Sequence, residues 1–138
     1  MISYPAIFHP DEKGFWVEFP DLPGCVTEGD SFEEAQEMAK EALSVFLESM
    51  DSRKVAIPLP SKIKGENIFF IEPDLNVAFA ISLKRERERL GLTQKQVAEQ
   101  ANIKWAFYQR IENPRKSNPT LSTIEKLRAV FPHPFFSI

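Results

Sequence analysis

The spacing of apolar residues in this 138-residue chain changes near Pro73-Asp74, and the change limits the folds open to it. Ahead of that point, outside one helical stretch over residues 35–50, apolar residues fall in short aromatic and β-branched runs broken by turn residues, the habit of strands. Behind it they recur at steps of three and four, the habit of helices. A chain of this length can form one ordinary domain or two small ones, and the switch in period points to two, residues 1–72 and residues 73–138.

In the first segment, apolar residues 4–9 and the run Phe15-Trp16-Val17-Glu18-Phe19 flank the turn-like His9-Pro10-Asp11-Glu12-Lys13-Gly14, which predicts an antiparallel hairpin. Pro20-Asp21-Leu22-Pro23-Gly24 breaks regular structure, and Cys25-Val26-Thr27-Glu28 can form a short third strand. Ser31 and Glu34 have capping-box spacing, in which hydroxyl and carboxylate satisfy two amides that a helix start leaves free. Ala35, Met38, Ala39, Ala42, Leu43, Phe46, Leu47 and Met50 then mark one buried stripe. Residues 53–67, with Pro58, Pro60 and Gly65, read as a connecting loop, and Ile68-Phe69-Phe70-Ile71 as a last strand. The expectation is an antiparallel sheet with one main helix, followed by an all-α segment, so α+β overall.

The second segment is punctuated by helix signals. Asp74 is placed to cap a helix that stops at Gly91, and Thr93 with Gln96 forms another capping box. Asn102 tolerates the left-handed backbone of a tight turn, a third helix spans residues 104–112, and Thr120 caps a fourth with Leu121, Ile124, Leu127 and Val130 on its apolar face. Lys104 stands at a helix start but cannot cap it, which removes about 1 kcal/mol of support. The alternating run Lys84-Arg85-Glu86-Arg87-Glu88-Arg89 reads as a solvated helix face with some phosphate contacts.

Charge divides with the pattern. Residues 1–72 carry 6 Lys/Arg against 14 Asp/Glu, a net of −8, and residues 73–138 carry 11 against 6, a net of +5. A basic segment is drawn to phosphate, whereas an acidic one repels it and suits a basic protein.

Several classes are set aside. Charges interrupt every apolar stretch before the roughly 18 residues of a membrane span, and the N-terminus has no basic-then-apolar leader, so the expected setting is cytoplasmic. One cysteine, Cys25, and two distant histidines, His9 and His133, predict neither an internal disulfide nor a metal site. Asp11, Glu18, Asp21 and Glu28 lack a recognisable two-metal spacing, and Cys25 with His9 has no nucleophile–base signature, so no catalytic residue, no cofactor and no enzymatic activity are expected.

The run Gly91-Leu92-Thr93-Gln94-Lys95-Gln96-Val97-Ala98-Glu99-Gln100-Ala101-Asn102-Ile103, continued through Tyr108-Gln109-Arg110-Ile111-Glu112-Asn113 and Asn118-Pro119-Thr120-Leu121, resembles the phage-repressor (Xre-like) helix-turn-helix family. The resemblance implies that Val97, Ala98, Ile103, Tyr108 and Ile111 are core and that Gln94 contacts phosphate. It makes Lys104, Trp105, Ala106, Gln109 and Arg110 the recognition surface. Gln suits adenine edges and Arg suits guanine, while Lys95, Arg115 and Lys116 add attraction independent of sequence. Trp105 and Phe107 are bulky for such a surface and are expected to pack on a neighbouring helix or a second subunit.

In the first segment, Tyr4-Pro5-Ala6, Gly14-Phe15-Trp16-Val17, Phe19-Pro20-Asp21-Leu22-Pro23-Gly24-Cys25-Val26-Thr27-Glu28-Gly29-Asp30 and Glu34-Ala35 resemble the HicB antitoxin domain. That family implies a partial ribonuclease-H-like fold and a basic partner, a HicA-type toxin that cleaves messenger RNA. It further implies binding of double-stranded operator DNA as a homodimer or homotetramer, with no membrane involved. Asp11, Glu12, Asp21, Glu28 and Asp30, in or near turns, are the candidate toxin contacts, the alternative for Asp21 being that it braces the Pro20-to-Gly24 turn. The competing reading is a stand-alone repressor whose first domain senses a ligand or binds another protein.

Overall fold

The computed structural model describes residues 1–132, so His133 and the remainder of the second segment lie outside the described residues. Two compact units are present, one of residues 2–74 and one beginning at Leu75, to which Met1 also belongs.

The first unit is built from β1 (Tyr4–Asp11), β2 (Gly14–Glu18), β3 (Val26–Gly29), α1 (Phe32–Ser52) and β4 (Ile68–Ile71). The sheet is antiparallel throughout, in the order β3-β2-β1-β4. Its hairpin is tighter than the sequence suggests. β1 runs on through His9 and Pro10 to Asp11, leaving Glu12 and Lys13 as the turn, where Asp11 Oδ1 accepts the Lys13 amide at 2.9 Å. Gly14 adopts φ 143°, and a Cβ there would meet the Gly29 carbonyl oxygen at 2.2 Å, so glycine lets β2 begin against β3. Pro5 faces Phe70 of β4 and Pro10 faces Phe15 of β2, each at a register position where β1 has one neighbouring strand, so neither missing amide breaks a two-sided ladder.

α1 begins as its cap predicts, with Ser31 Oγ accepting the Glu34 amide at 3.1 Å. It lies against β2, β3 and β4 and buries Ala35, Ala39, Leu43, Leu47 and Met50. The approach to β3 is close enough that a Cβ on Gly29 would sit 2.4 Å from the Ala35 nitrogen. The buried stripe is narrower than the apolar spacing implies, because Met38 is exposed and Ala42 and Phe46 are half-buried. Ser44 is buried instead, donating to the Lys40 carbonyl at 2.8 Å and accepting the Asp74 amide at 2.8 Å. Cys25 belongs to this core, and burial pushes its thiol up to about 11.

The second unit consists of α2 (Leu75–Arg89), α3 (Gln94–Ala101), α4 (Trp105–Ile111) and α5 (Leu121–Arg128). Gly91 at φ 70° ends α2, with the Leu92 amide reaching the Arg87 carbonyl and the Gly91 amide reaching that of Glu88, a Schellman arrangement. Asn102 at φ 57° repeats it after α3, where Ile103 N–H meets the Ala98 carbonyl. Phe79, Leu83, Val97, Ala98, Ala101, Tyr108, Ile111, Leu127 and Phe131 make one apolar cluster, with Leu92, Ile103, Ile124 and Val130 at its margin. Leu121, expected on the apolar face of α5, is 85% exposed, and Thr123 takes the buried position. Among the described residues the architecture is α+β, an antiparallel sheet with one helix followed by helices alone.

Candidate nucleic-acid interface

The turn between α3 and α4 takes three residues, Asn102, Ile103 and Lys104. Thr93 Oγ1 accepts the Gln96 amide at 3.1 Å while the Gln96 side chain accepts the Thr93 amide at 2.8 Å, so the first helix of the pair starts at a defined point. Val97 and Ala101 of α3, with Tyr108 and Ile111 of α4, point into the apolar cluster. That inward anchoring turns the opposite side of α4 outward: Lys104, Trp105, Ala106, Gln109 and Arg110 are all exposed. As expected from its chemistry, Lys104 is the N-cap residue of α4 and makes no side-chain cap bond.

Lys95 is exposed, and its Nζ lies 6.0 Å from the Trp105 ring centroid, at the limit of a cation–π contact. Trp105 is 50% exposed and Phe107 41%, so neither is buried against a neighbouring helix of the unit. Arg115 and Lys116 are exposed in the loop after α4, where Asn113 organises the backbone by accepting the Arg115 amide on its side chain and the Lys116 amide on its carbonyl.

A buried ion pair, which the sequence reading missed, ties this region together. Glu112, 4% exposed at the end of α4, accepts from Arg87 Nε at 2.6 Å and from a second guanidinium nitrogen at 3.0 Å. Arg87 also donates to the Leu92 carbonyl at 2.9 Å, and Gln94 Nε2 donates to Glu112 at 3.2 Å. Arg87 is therefore not part of a solvated face. The hydrogen bonds to Glu112 raise its pKa above the ordinary guanidinium value, and burial beside the same carboxylate pushes the Tyr108 phenol far up. Gln94, expected on phosphate, is half-buried and spends one amide hydrogen on Glu112.

The network has an electrostatic consequence. Glu112 would otherwise place a free carboxylate at the end of the helix that carries Gln109 and Arg110. Paired and buried, it leaves the outward charge of this region to Lys95, Lys104, Arg110, Arg115 and Lys116 against the exposed Glu99.

The acidic candidates of the first unit are dispersed. Asp11 and Glu12 are exposed at the β1–β2 turn, Glu28 is exposed on β3, and Asp30 is exposed before α1. Asp21 is engaged within the unit, its Oδ2 accepting the Ser61 amide at 2.8 Å, which ties the turn after β2 to the long loop. Among the described residues no group of three or more His, Cys, Asp and Glu side chains is arranged to hold a metal, and no helix is long and apolar enough to cross a membrane.

Residues 4–85 match a family described as HicB-like antitoxin of bacterial toxin–antitoxin system, and residues 83–132 match a helix-turn-helix family. Antitoxin HicB 1 of Photorhabdus laumondii is 32% identical over 133 residues, 96% of this chain and 83% of that protein. Antitoxin HicB of Escherichia coli K12 is 34% identical over 98 residues, 70% of each chain. Among solved structures, a chain of a HicA3 and HicB3 toxin–antitoxin complex is 29% identical and covers 53% of this chain and 99% of its own, with a TM-score of 0.42.

Proposed function

This chain belongs to the HicB-like antitoxin family, and from that premise we propose that it neutralises a basic HicA-type toxin through residues 2–74 and represses its own operon through the helix-turn-helix of the second unit. The observation that carries the DNA half is the outward surface of α4. Two inward anchors, Tyr108 and Ile111, leave Trp105, Ala106, Gln109 and Arg110 free to meet base edges in a major groove. Arg110 offers a bidentate match to guanine and Gln109 to adenine. Lys95, Lys104, Arg115 and Lys116 neutralise phosphates around that contact, and Gln94 keeps an amide hydrogen beyond the one given to Glu112.

A single α4 reads few base pairs, so the operator-bound form is a dimer or a tetramer, with paired recognition helices about 34 Å apart on an inverted repeat. The toxin half works by occlusion. A protein that grips RNA presents positive charge, and a segment of net −8 competes for it and speeds the encounter. The chain acts by binding and carries out no reaction of its own.

The test joins both halves. Purified full-length protein is expected to co-purify with the basic product of the adjacent gene, to restore growth of cells expressing it, and to shift a fragment of its own promoter in a salt-sensitive way. Failure to rescue growth removes the toxin half, and a promoter shift no stronger than that of unrelated DNA removes the repressor half.

A further inference from the structure

α1 covers one face of the sheet, and the register fixes which strand residues stand on the other. His9 pairs with Trp16, Trp16 with Glu28, Glu18 with Val26, and Pro5 with Phe70, so these side chains share the face turned away from α1. No helix of residues 2–74 other than α1 is present to cover it. Trp16 is 39% exposed, Phe70 47% and Val26 59%, while Pro5 opposite Phe70 is buried, so the apolar exposure of this face gathers around Trp16, Val26 and Phe70. Asp11, Glu18 and Glu28 stand on the same face, and none of its strand positions is Lys or Arg.

Trp16 is also held in place. Its ring stacks on His9 at 3.9 Å and 13°, and His9 Nε2 lies 3.2 Å from Glu18 Oε2. A tryptophan fixed in this way loses little freedom when a partner closes over it, and tryptophan is enriched among interface anchors. Carboxylates on both flanks choose the occupant. A second copy of the same face would set carboxylate against carboxylate, and a nucleic acid would set phosphate against them. A cationic protein surface satisfies all three carboxylates and covers the rings.

We propose that this outer sheet face, centred on Trp16 with Glu18 and Glu28 beside it, is the surface that docks the basic toxin. The proposal rests on the antitoxin reading given above and specifies where the toxin sits. Turn residues Glu12 and Asp30 then contribute only long-range attraction, while Glu28 makes direct contact.

The test uses the full-length chain and the purified product of the adjacent gene, with affinity as the readout and the denaturation transition of the first unit as the check that each variant is folded. Glu28→Lys and Val26→Lys change exposed positions on the edge strand β3, and each is expected to weaken toxin binding by about 30-fold or more. Trp16→Ala should cost about 100-fold. Glu41→Lys on the exposed side of α1 should change it by less than about twofold. Wild-type affinity in Glu28→Lys and Val26→Lys, or an equal loss in Glu41→Lys, overturns the placement while leaving the antitoxin reading intact. Loss of self-association by Glu28→Lys in the absence of toxin assigns the face to a second copy and also overturns it. A wild-type chain that does not bind the toxin overturns both.

Discussion

The two units hold their functional surfaces in place by different means. In residues 2–74 the sheet does it: each strand residue has its side chosen by a backbone ladder, so Trp16 and Glu28 stand outward because Val17 and Gly29 stand inward. Among the described residues the second unit has no ladder. Its helices are seven to fifteen residues long, too short to be stable alone, and a part-buried side-chain network crosses from α2 through Gln94 of α3 to the end of α4. A sheet spreads positional control over many weak bonds, whereas this helical unit adds to its apolar cluster a set of cross-helix polar bonds concentrated on Arg87 and Glu112.

Breaking the concentrated element should have the largest effect. Glu112→Ala leaves Arg87 charged, mostly buried and unpaired, and is expected to destabilise the second unit by about 3–5 kcal/mol. Chemical denaturation should then show an early transition for that unit and an unshifted one for the first, with promoter binding lost and toxin binding kept. A single unshifted transition would show that the pair does not carry the position of α4.

Gly29→Ala tests the sheet. The added methyl would meet the Ala35 nitrogen at 2.4 Å, so β3 and α1 must separate. The expected cost is roughly 1–3 kcal/mol in the first unit, read in the same experiment, with toxin affinity falling and promoter binding unchanged. Equal losses in the two units would contradict their separate control.

Arg110→Ala leaves both units folded and removes one exposed donor set. A loss of about 1–3 kcal/mol in promoter affinity, with relaxed preference at one base position, is expected in a binding-site selection assay. Uniform weakening across sequences would make Arg110 a phosphate contact.

Lys116→Ala should give the smallest effect. Titration of promoter binding against salt is expected to show a slope lower by about 1, with unchanged sequence preference. An unchanged slope would remove Lys116 from the phosphate contacts.

Much of the second unit was legible because its signals are local. Thr93 caps α3, Asn102 takes the left-handed turn and Gly91 stops α2, each through bonds spanning no more than five residues, so the sequence already contains both partners. The expected core residues Val97, Ala98, Ile103, Tyr108 and Ile111 lie in or against the apolar cluster for the same reason, since two helical turns suffice to define a face. The same periodic reading misjudged Met38 and Leu121, because spacing marks an apolar stripe without saying how far the facing element extends. It also left the run of residues 84–89 looking solvated, as nothing local distinguishes Arg87 from Arg89.

The amino-acid order by itself determined which helices and strands form and in what order, the α+β class, and the family, because caps, turns and period act within a few residues. Tertiary structure alone decided that Arg87 meets Glu112 across 25 positions, that Asp21 is bound to the Ser61 amide across 40, and that Trp16, Glu18 and Glu28 share one open face. Those pairings depend on strand register and on the angles at which helices cross, which are set by the packing of many side chains at once.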